Sequence, residues 1–291
     1  MGESNNARAF VGHFVPWDGG SVFIGSGGGV VPVHAHYSIQ IAFGVTPGIR
    51  FRSSDSEEWI AYDGAIIPSR QPHSMDVVQM PTCAVLFVEP ETREGHALNE
   101  RWLRHGIASI PEALLNEGRS QIFTAWREER SAAAVAKAGQ RIIQSLTGGV
   151  EPAVVADERI IRAIAHVNAN LHLRLSLDEV ADVACLSPSR FRHLFVEQTG
   201  MALRPYILWR RFLHVWELLS AGATLSSAAH AAGFADAAHL SRTSRTMFGI
   251  APSAMQMAQP LGGQGPAGRD SAVVAGKGAY REHSQPLRSR T

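Results

Sequence analysis

Two rhythms of apolar residues divide the chain. Between Val22 and about Val88 they come in short β-branched or aromatic runs, such as Gln40-Ile-Ala-Phe43, Ile49-Arg-Phe-Arg52 and Ala84-Val-Leu-Phe-Val88, broken by glycine, proline and serine. Runs of that length between turn formers predict antiparallel strands, closing here into a small barrel. From about Pro111 the spacing lengthens: Ile122, Trp126, Val135, Ile142 and Ile143 are scattered among Ala, Glu, Arg and Gln, which is helical spacing. Thr147-Gly-Gly-Val-Glu-Pro152 interrupts the pattern, and the chain beyond it is helical to about Gln259. The expected fold is α+β with two domains: a barrel with helices over residues 1–147, a linker over 148–157 and an all-α domain over 158–259. A Gly-, Pro-, Ser- and Arg-rich tail over 260–291 lacks periodicity and reads as disordered.

The all-α segment carries helix start and stop signals twice. Ser176-Leu-Asp-Glu179 has the form of a capping box and predicts a helix from Leu177 to about Ala184. After a break at Cys185-Leu186, Ser187 can cap and Pro188 fits the first turn of a second helix, which runs to Gly200, a residue able to take positive φ. Phe191, Leu194, Phe195 and Gln198 share one face of it, while Ser189, Arg192, His193 and Val196 share the other. The same grammar returns 49 residues later, with Gly249 matching Gly200, Leu240 matching Phe191 and Arg242 matching His193. Thr224 caps a helix to about Ala232, Gly233-Phe234 makes the turn, and Asp236 caps a helix exposing Ala238, His239, Ser241, Arg242 and Arg245. Pro205 to Ser220 joins the pairs as one helix with Tyr206, Trp209, Phe212, Trp216 and Leu219 as its apolar stripe.

Two short helices with a tight turn, the second polar near its N-terminus, suit reading of the DNA major groove. A rigid spacer would hold two such reading helices roughly 34 Å apart, one turn of the duplex. Charge adds little to this picture. The 291 residues are 45% hydrophobic and 18% charged with a formal net charge of +1, a globular composition. Residues 151–260 hold ten Arg, no Lys and nine acidic residues, which disfavours a nonspecific DNA-compacting protein. The longest uncharged stretch, Gly19 to Ile49, has no apolar run of about 20 residues, so no membrane segment is expected. The first residues lack the pattern of a secretory signal, and Cys83 and Cys185 are far apart, so a cytoplasmic protein with reduced thiols is expected.

The runs Leu175-Ser-Leu-Asp-Glu-Val-Ala, Leu186-Ser-Pro-Ser-Arg-Phe-Arg-His-Leu-Phe, Thr199-Gly-Met, Ala232-Gly-Phe, His239-Leu-Ser-Arg and Phe248-Gly-Ile-Ala-Pro252 resemble the DNA-binding domain of AraC/XylS-type transcription regulators. The resemblance implies base contacts by Ser189, Arg192 and His193 in the first reading helix and by Ala238, His239, Ser241 and Arg242 in the second. Arg190 and Arg245 read as phosphate contacts, which position without specifying. His193 stands where the family often has Arg, and Ser244 where it usually has a core Phe, which puts a guanine contact and the packing of the second motif in question.

In the N-terminal half, His34-Ala-His36 with Gln40, and Pro68-Ser-Arg-Gln-Pro-His73, resemble the two sequence motifs of cupin barrels. Strand alternation would put His34 and His36 on one face, aimed into a lumen, with His73 as a third imidazole. Gln40 replaces the usual Glu, and Arg70 replaces the glycine of the second motif. Three readings stand side by side: an organic effector held by His34, His36, Gln40 and His73; a divalent metal such as Zn²⁺ or Fe²⁺ on His34, His36 and His73; or histidines satisfied by neighbouring strands. Regulators of this kind commonly dimerise through helices corresponding to about Glu112–Leu146, although Phe123, Trp126 and the Ala132–Ala138 run could equally pack on the barrel.

The reading reached is a non-enzymatic, sequence-specific DNA-binding regulator under effector control. Its partners are double-stranded DNA and a small molecule, with RNA polymerase and a second copy of the chain as further candidates. The competing reading, a metal-dependent cupin enzyme with a helical appendage, leaves the duplicated motif unexplained.

Overall fold

The computed structural model describes residues 10–80, 82–90, 92–149, 157–258 and 261, so most of the expected linker and all but one residue of the expected disordered tail lie outside the described residues. The strands, in chain order, are β1 (Phe10–Trp17), β2 (Gly20–Ser26), β3 (Val30–His34), β4 (Ile39–Gly44), β5 (Ile49–Arg52), β6 (Ile60–Tyr62), β7 (Ala65–Ile67), β8 (His73–Asp76), β9 (Cys83–Val88), β10 (Ala108–Ser109) and β11 (Met255–Met257). They form a seven-stranded sheet in the order β10-β7-β4-β9-β2-β1-β11 and a four-stranded sheet in the order β3-β8-β5-β6. Every pairing is antiparallel except that of β1 with β11.

Side-chain alternation explains how the larger sheet is covered twice. Ile39, Ile41 and Phe43 on β4 and Ala84, Leu86 and Val88 on β9 turn to one face, joining a core with Leu115 and Ile122 of α2 (Glu112–Thr124) and Val135 and Ile142 of α3 (Ala132–Thr147). Ala42, Cys83 and Val85 turn the other way and meet Ile49, Phe51 and Met75 of the smaller sheet. With both faces covered, all six residues of β4 are buried, and the apolar-polar alternation of a half-exposed strand disappears. Phe123, Val135 and Ala138 are buried in the core shared with the barrel, so these helices pack on the sheet along that side. A further helix, α1 (Arg93–Trp102), precedes the pair in the chain, and Trp102 Nε1 donates to the Leu146 carbonyl at 2.9 Å.

The C-terminal half consists of α4 (Glu158–Ala169), α5 (Leu177–Val183), α6 (Pro188–Thr199), α7 (Leu203–Ser220), α8 (Leu225–Ala231) and α9 (Ala237–Phe248). Local capping sets these boundaries. Ser176 and Glu179 make both bonds of the capping box, and Ser187, Thr224 and Asp236 each accept a backbone N–H in the first turn of their helices. Gly200 and Gly249 end the two reading helices at φ 67° and 72°. The spacer α7 gives Tyr206 and Trp209 to the first helical core and Phe212 and Val215 to the second. Ser244 is buried, and its hydroxyl donates to the Ile250 carbonyl at 2.8 Å, tying α9 to the segment that follows it. The aromatic contact with the spacer comes instead from Phe248, whose ring lies 5.3 Å from that of Phe212. Among the described residues no helix is long and apolar enough to cross a membrane.

Candidate nucleic-acid interface and interdomain cavity

On α6, Ser189, Arg190, Arg192 and His193 are exposed; on α9, Ala238, His239, Arg242 and Arg245 are exposed and Ser241 is half-buried. The four guanidiniums carry no salt bridge or side-chain hydrogen bond among the described residues, so their donors are uncommitted. His239 is held more firmly: its ring packs edge-on against Phe234, and its Nδ1 accepts from Ala235 N at 3.4 Å, which leaves Nε2–H as the outward donor. Asp236 caps the same helix by accepting His239 N at 2.6 Å; that bond, aided by the charge of Arg242, holds its carboxyl below the usual carboxylate range.

The four N-terminal residues singled out by sequence come together. His34 ends β3 and is paired directly with His73, the first residue of β8. His36 is not on that strand: it lies in the connection to β4, because the ladder shifts register between Val31 and His34 and the chain then bends at Tyr37-Ser38. Simple alternation therefore misassigned its position, although the bend still brings it in, with ring centroids 5.6 Å from His34 and 5.1 Å from His73. Arg70 sits at φ 60°, the left-handed conformation for which a glycine would be suited, and its backbone N–H donates to the His36 carbonyl at 2.8 Å.

Hydrogen bonding fixes which nitrogens are open. His34 Nδ1–H donates to the Pro32 carbonyl at 2.8 Å and His73 Nδ1–H to the Gln71 carbonyl at 2.9 Å, so Nε2 of each keeps its lone pair. His73 Nε2 is buried without a partner. Both nitrogens of His36 are engaged: Nε2–H donates to Gln40 Oε1 at 2.7 Å, and Nδ1 accepts from the Ser38 hydroxyl at 3.3 Å. Burial, reinforced by the charge of His36, pulls His34 down to about 4; burial likewise lowers His36 and, with both neighbours, His73. All three are neutral at neutral pH. One nitrogen from each lies within 4.8 Å of the others, and this is the group of metal-competent side chains found among the described residues.

Beside this cluster lies a cavity of about 80 Å³. Its polar end is His34, His36 and Gln40, and the barrel adds Phe23, Val85 and Phe87. The opposite wall belongs to the helical domain: Trp209 and Trp216 of α7, Phe248 at the end of α9, and Ile250. The sequence pattern assigned the pocket to the barrel alone and Trp209 and Trp216 to the spacer's own core. The one available signal was that two tryptophans seven residues apart on one helix face exceed what a pair of short helices requires.

The same surface joins the halves elsewhere. Tyr37 donates to the Thr199 carbonyl at 2.9 Å, Arg210 pairs with Glu89 at 3.0 Å, and β11 extends the barrel sheet along β1. At Gly249 an added Cβ would lie 2.8 Å from the Pro32 carbonyl oxygen and 3.0 Å from His34 Nδ1, so the close approach as well as the φ value requires glycine.

Residues 180–258 match the family model of a helix-turn-helix domain, a span that runs from within α5 through α9. Among solved structures the chain is similar to ToxT from Vibrio cholerae O395, with 12% identity, 80% of this chain and 95% of that one covered, and a TM-score of 0.51. It is similar as well to wild-type ToxT from Vibrio cholerae strain SCE256 with an unsaturated fatty acid bound, with 12% identity, 87% and 96% covered, and a TM-score of 0.50. A regulator from Chromobacterium violaceum described by its AraC-type DNA-binding domain matches over 33% of this chain and 87% of its own, at 27% identity and a TM-score of 0.31. No curated protein matches the chain. At these identities the likeness to ToxT is one of fold.

Proposed function

We propose that this chain, which carries an AraC-type helix-turn-helix domain over residues 180–258, is a sequence-specific transcription regulator whose hold on DNA is set by a small effector in the interdomain cavity. One observation carries the reading: Trp209, Trp216 and Phe248, which wall the cavity, belong to the spacer and to the second reading helix. Anything that fills the cavity therefore touches the parts that place the reading helices relative to each other. An effector shifts DNA affinity only if it favours one arrangement over the other, and a shared wall provides that difference. One ToxT structure of this fold holds an unsaturated fatty acid, which supports the fold as one that takes a small molecule.

In this reading residues 1–147 sense the effector and 158–259 bind DNA. Arg192 and Arg242 contact guanine, each contributing about 1–3 kcal/mol of discrimination. Ser189, His193, Ala238, His239 and Ser241 contact base edges around them, and Arg190 and Arg245 grip phosphates. The protein works in the cytoplasm, where RNA polymerase is the further partner. In this reading the protein is not an enzyme; burial pushes the one lining thiol among the described residues, Cys83, up to about 12, which supports a packing rather than a nucleophilic role for it. Selection from a random duplex library tests the role. Enrichment of two short elements about ten base pairs apart is expected, and no enrichment at moderate salt contradicts the reading.

A divalent cation is a second occupant that the cluster fits, and the unpartnered Nε2 of His73 favours it. His34 and His73 would hold it through Nε2, and His36 once its Nε2 leaves Gln40, with backbone carbonyls orienting the first and second of these rings as ligating histidines require. A bound cation would supply a Lewis-acid anchor for an oxygen of the effector. Metal analysis of the purified protein, with His34 and His73 replaced by Ala in turn, tests this: stoichiometric metal lost in both variants supports it, and metal-free wild type overturns it.

A further inference from the structure

The cavity specifies its occupant more narrowly than by size, given the reading of it as the effector site. Among the described residues no Lys, Arg, Asp or Glu lines it; His34, His36 and Gln40 form its polar end, and the indoles of Trp209 and Trp216 lie on the opposite wall. At that end His36 and Gln40 satisfy each other. His34, which lines the cavity, has spent Nδ1–H on the Pro32 carbonyl and keeps Nε2 as an acceptor; His73 packs against it outside the lining, its ring centroid 4.3 Å away. An acceptor of this kind is met by an O–H or N–H donor. A carboxylate would face lone pairs at the histidine end and would lose its hydration with no cation to replace it; Trp209 Nε1–H, a single neutral donor on the opposite wall, does not make up that loss. A hydrocarbon would leave the acceptor unmet.

Size adds a second condition. A cavity of about 80 Å³ is smaller than the roughly 150 Å³ apolar cavity known to hold benzene, so a ring can enter only if a wall gives way. Phe23, Val85 and Phe87 are fixed on paired strands. Phe248 is half-buried at the last position of α9, stacked on His36. Of the walls given by the helices it is the one at the end of its helix.

We propose that the cavity takes an uncharged molecule with an apolar body the size of one ring and a single hydroxyl, which donates to Nε2 of His34, and that its entry displaces Phe248. Fluorine NMR on the full-length protein after dialysis against EDTA tests this with para-fluorophenol, fluorobenzene and para-fluorobenzoate, probes of similar size that differ in headgroup. The phenol is expected to bind about tenfold more tightly than the benzoate and about threefold or more above fluorobenzene. His34→Leu should narrow the gap between phenol and fluorobenzene. Phe248→Leu, which trims the yielding wall without touching the polar end, should tighten phenol binding. Equal or tighter binding of the benzoate, no binding of any probe, or phenol binding that requires added zinc overturns the proposal. None of these measurements involves DNA. Phenol binding without enriched duplexes therefore refutes the regulator reading alone, and enriched duplexes without phenol binding refute this proposal alone.

Discussion

The imidazole of His36 and the phenyl ring of Phe248 stack across the boundary between barrel and helical domain, with centroids 6.2 Å apart and planes 28° from parallel. The same phenyl ring also meets Trp209, Phe212 and Trp216 on the spacer helix, at 6.0, 5.3 and 6.3 Å. One side chain thus touches both the polar end of the cavity and the helix that separates the two reading motifs. Removing it should uncouple them. Phe248→Ala is expected to lower stability by about 2–4 kcal/mol, since a large ring leaves a hole that the site refills only in part. It should also make DNA affinity, followed by fluorescence anisotropy, indifferent to a compound that fills the cavity. An undiminished response in the variant would show that the signal travels by another route.

Acid should weaken the fold through the same cluster. In the folded protein burial holds His34 near 4, while in the unfolded chain its imidazole takes up a proton near 6.5. Between those values the unfolded state binds more protons, so stability is full above about 6.5 and falls as pH is lowered toward 4. The shift corresponds to about 3 kcal/mol for His34 alone, with His36 and His73 acting in the same direction. Thermal melting across that range should show the decline, and His34→Leu should flatten it. A wild-type midpoint independent of pH there would mean that the three rings are not held neutral by burial.

Gly200 and Gly249 cap equivalent helices at nearly the same φ, yet their surroundings differ. The nearest atom to a Cβ at Gly200 would be the Tyr37 hydroxyl at 3.3 Å, whereas at Gly249 it would be the Pro32 carbonyl at 2.8 Å. Left-handed backbone at a non-glycine residue costs about 1–3 kcal/mol at either site. Denaturant unfolding of Gly249→Ala should therefore show a loss at least as large as that of Gly200→Ala, plus the cost of parting α9 from β3. Equal losses would mean that α9 is not pressed against the barrel in solution.

The capping signals were legible because each is local: Ser176, Ser187, Thr224 and Asp236 bond to the residue three positions ahead, and sequence spacing carries that information directly. The histidine cluster was legible as a set of residues, although the strand rule misplaced His36, since a register shift and a bend are invisible to a period-two pattern. What could not be read were pairings across the chain. The parallel match of Phe10 with Met255, and the seating of Phe248 beside Phe87, depend on how two independently patterned halves dock. Ser244 was read as a gap where an aromatic belongs; its hydroxyl finds the Ile250 carbonyl, a contact no single-residue comparison reveals.

The two reading helices should be separable by mutation. Arg192→Ala is expected to relax base preference at one element and Arg242→Ala at the other, each by about 1–3 kcal/mol, with little change at the neighbouring element. Competition binding against single-base variants of the selected duplex measures this. A uniform loss over all variants would reassign that arginine to a phosphate.

The most direct test of the central claim changes only the DNA. If two reading helices fixed by one rigid spacer engage one face of the duplex, inserting about five base pairs between the selected elements rotates the second to the far side, half a turn away. Affinity should then drop to that of a duplex with a single element, as measured by anisotropy at constant salt. Equal affinity for the original and the inserted duplex would contradict tandem reading by α6 and α9.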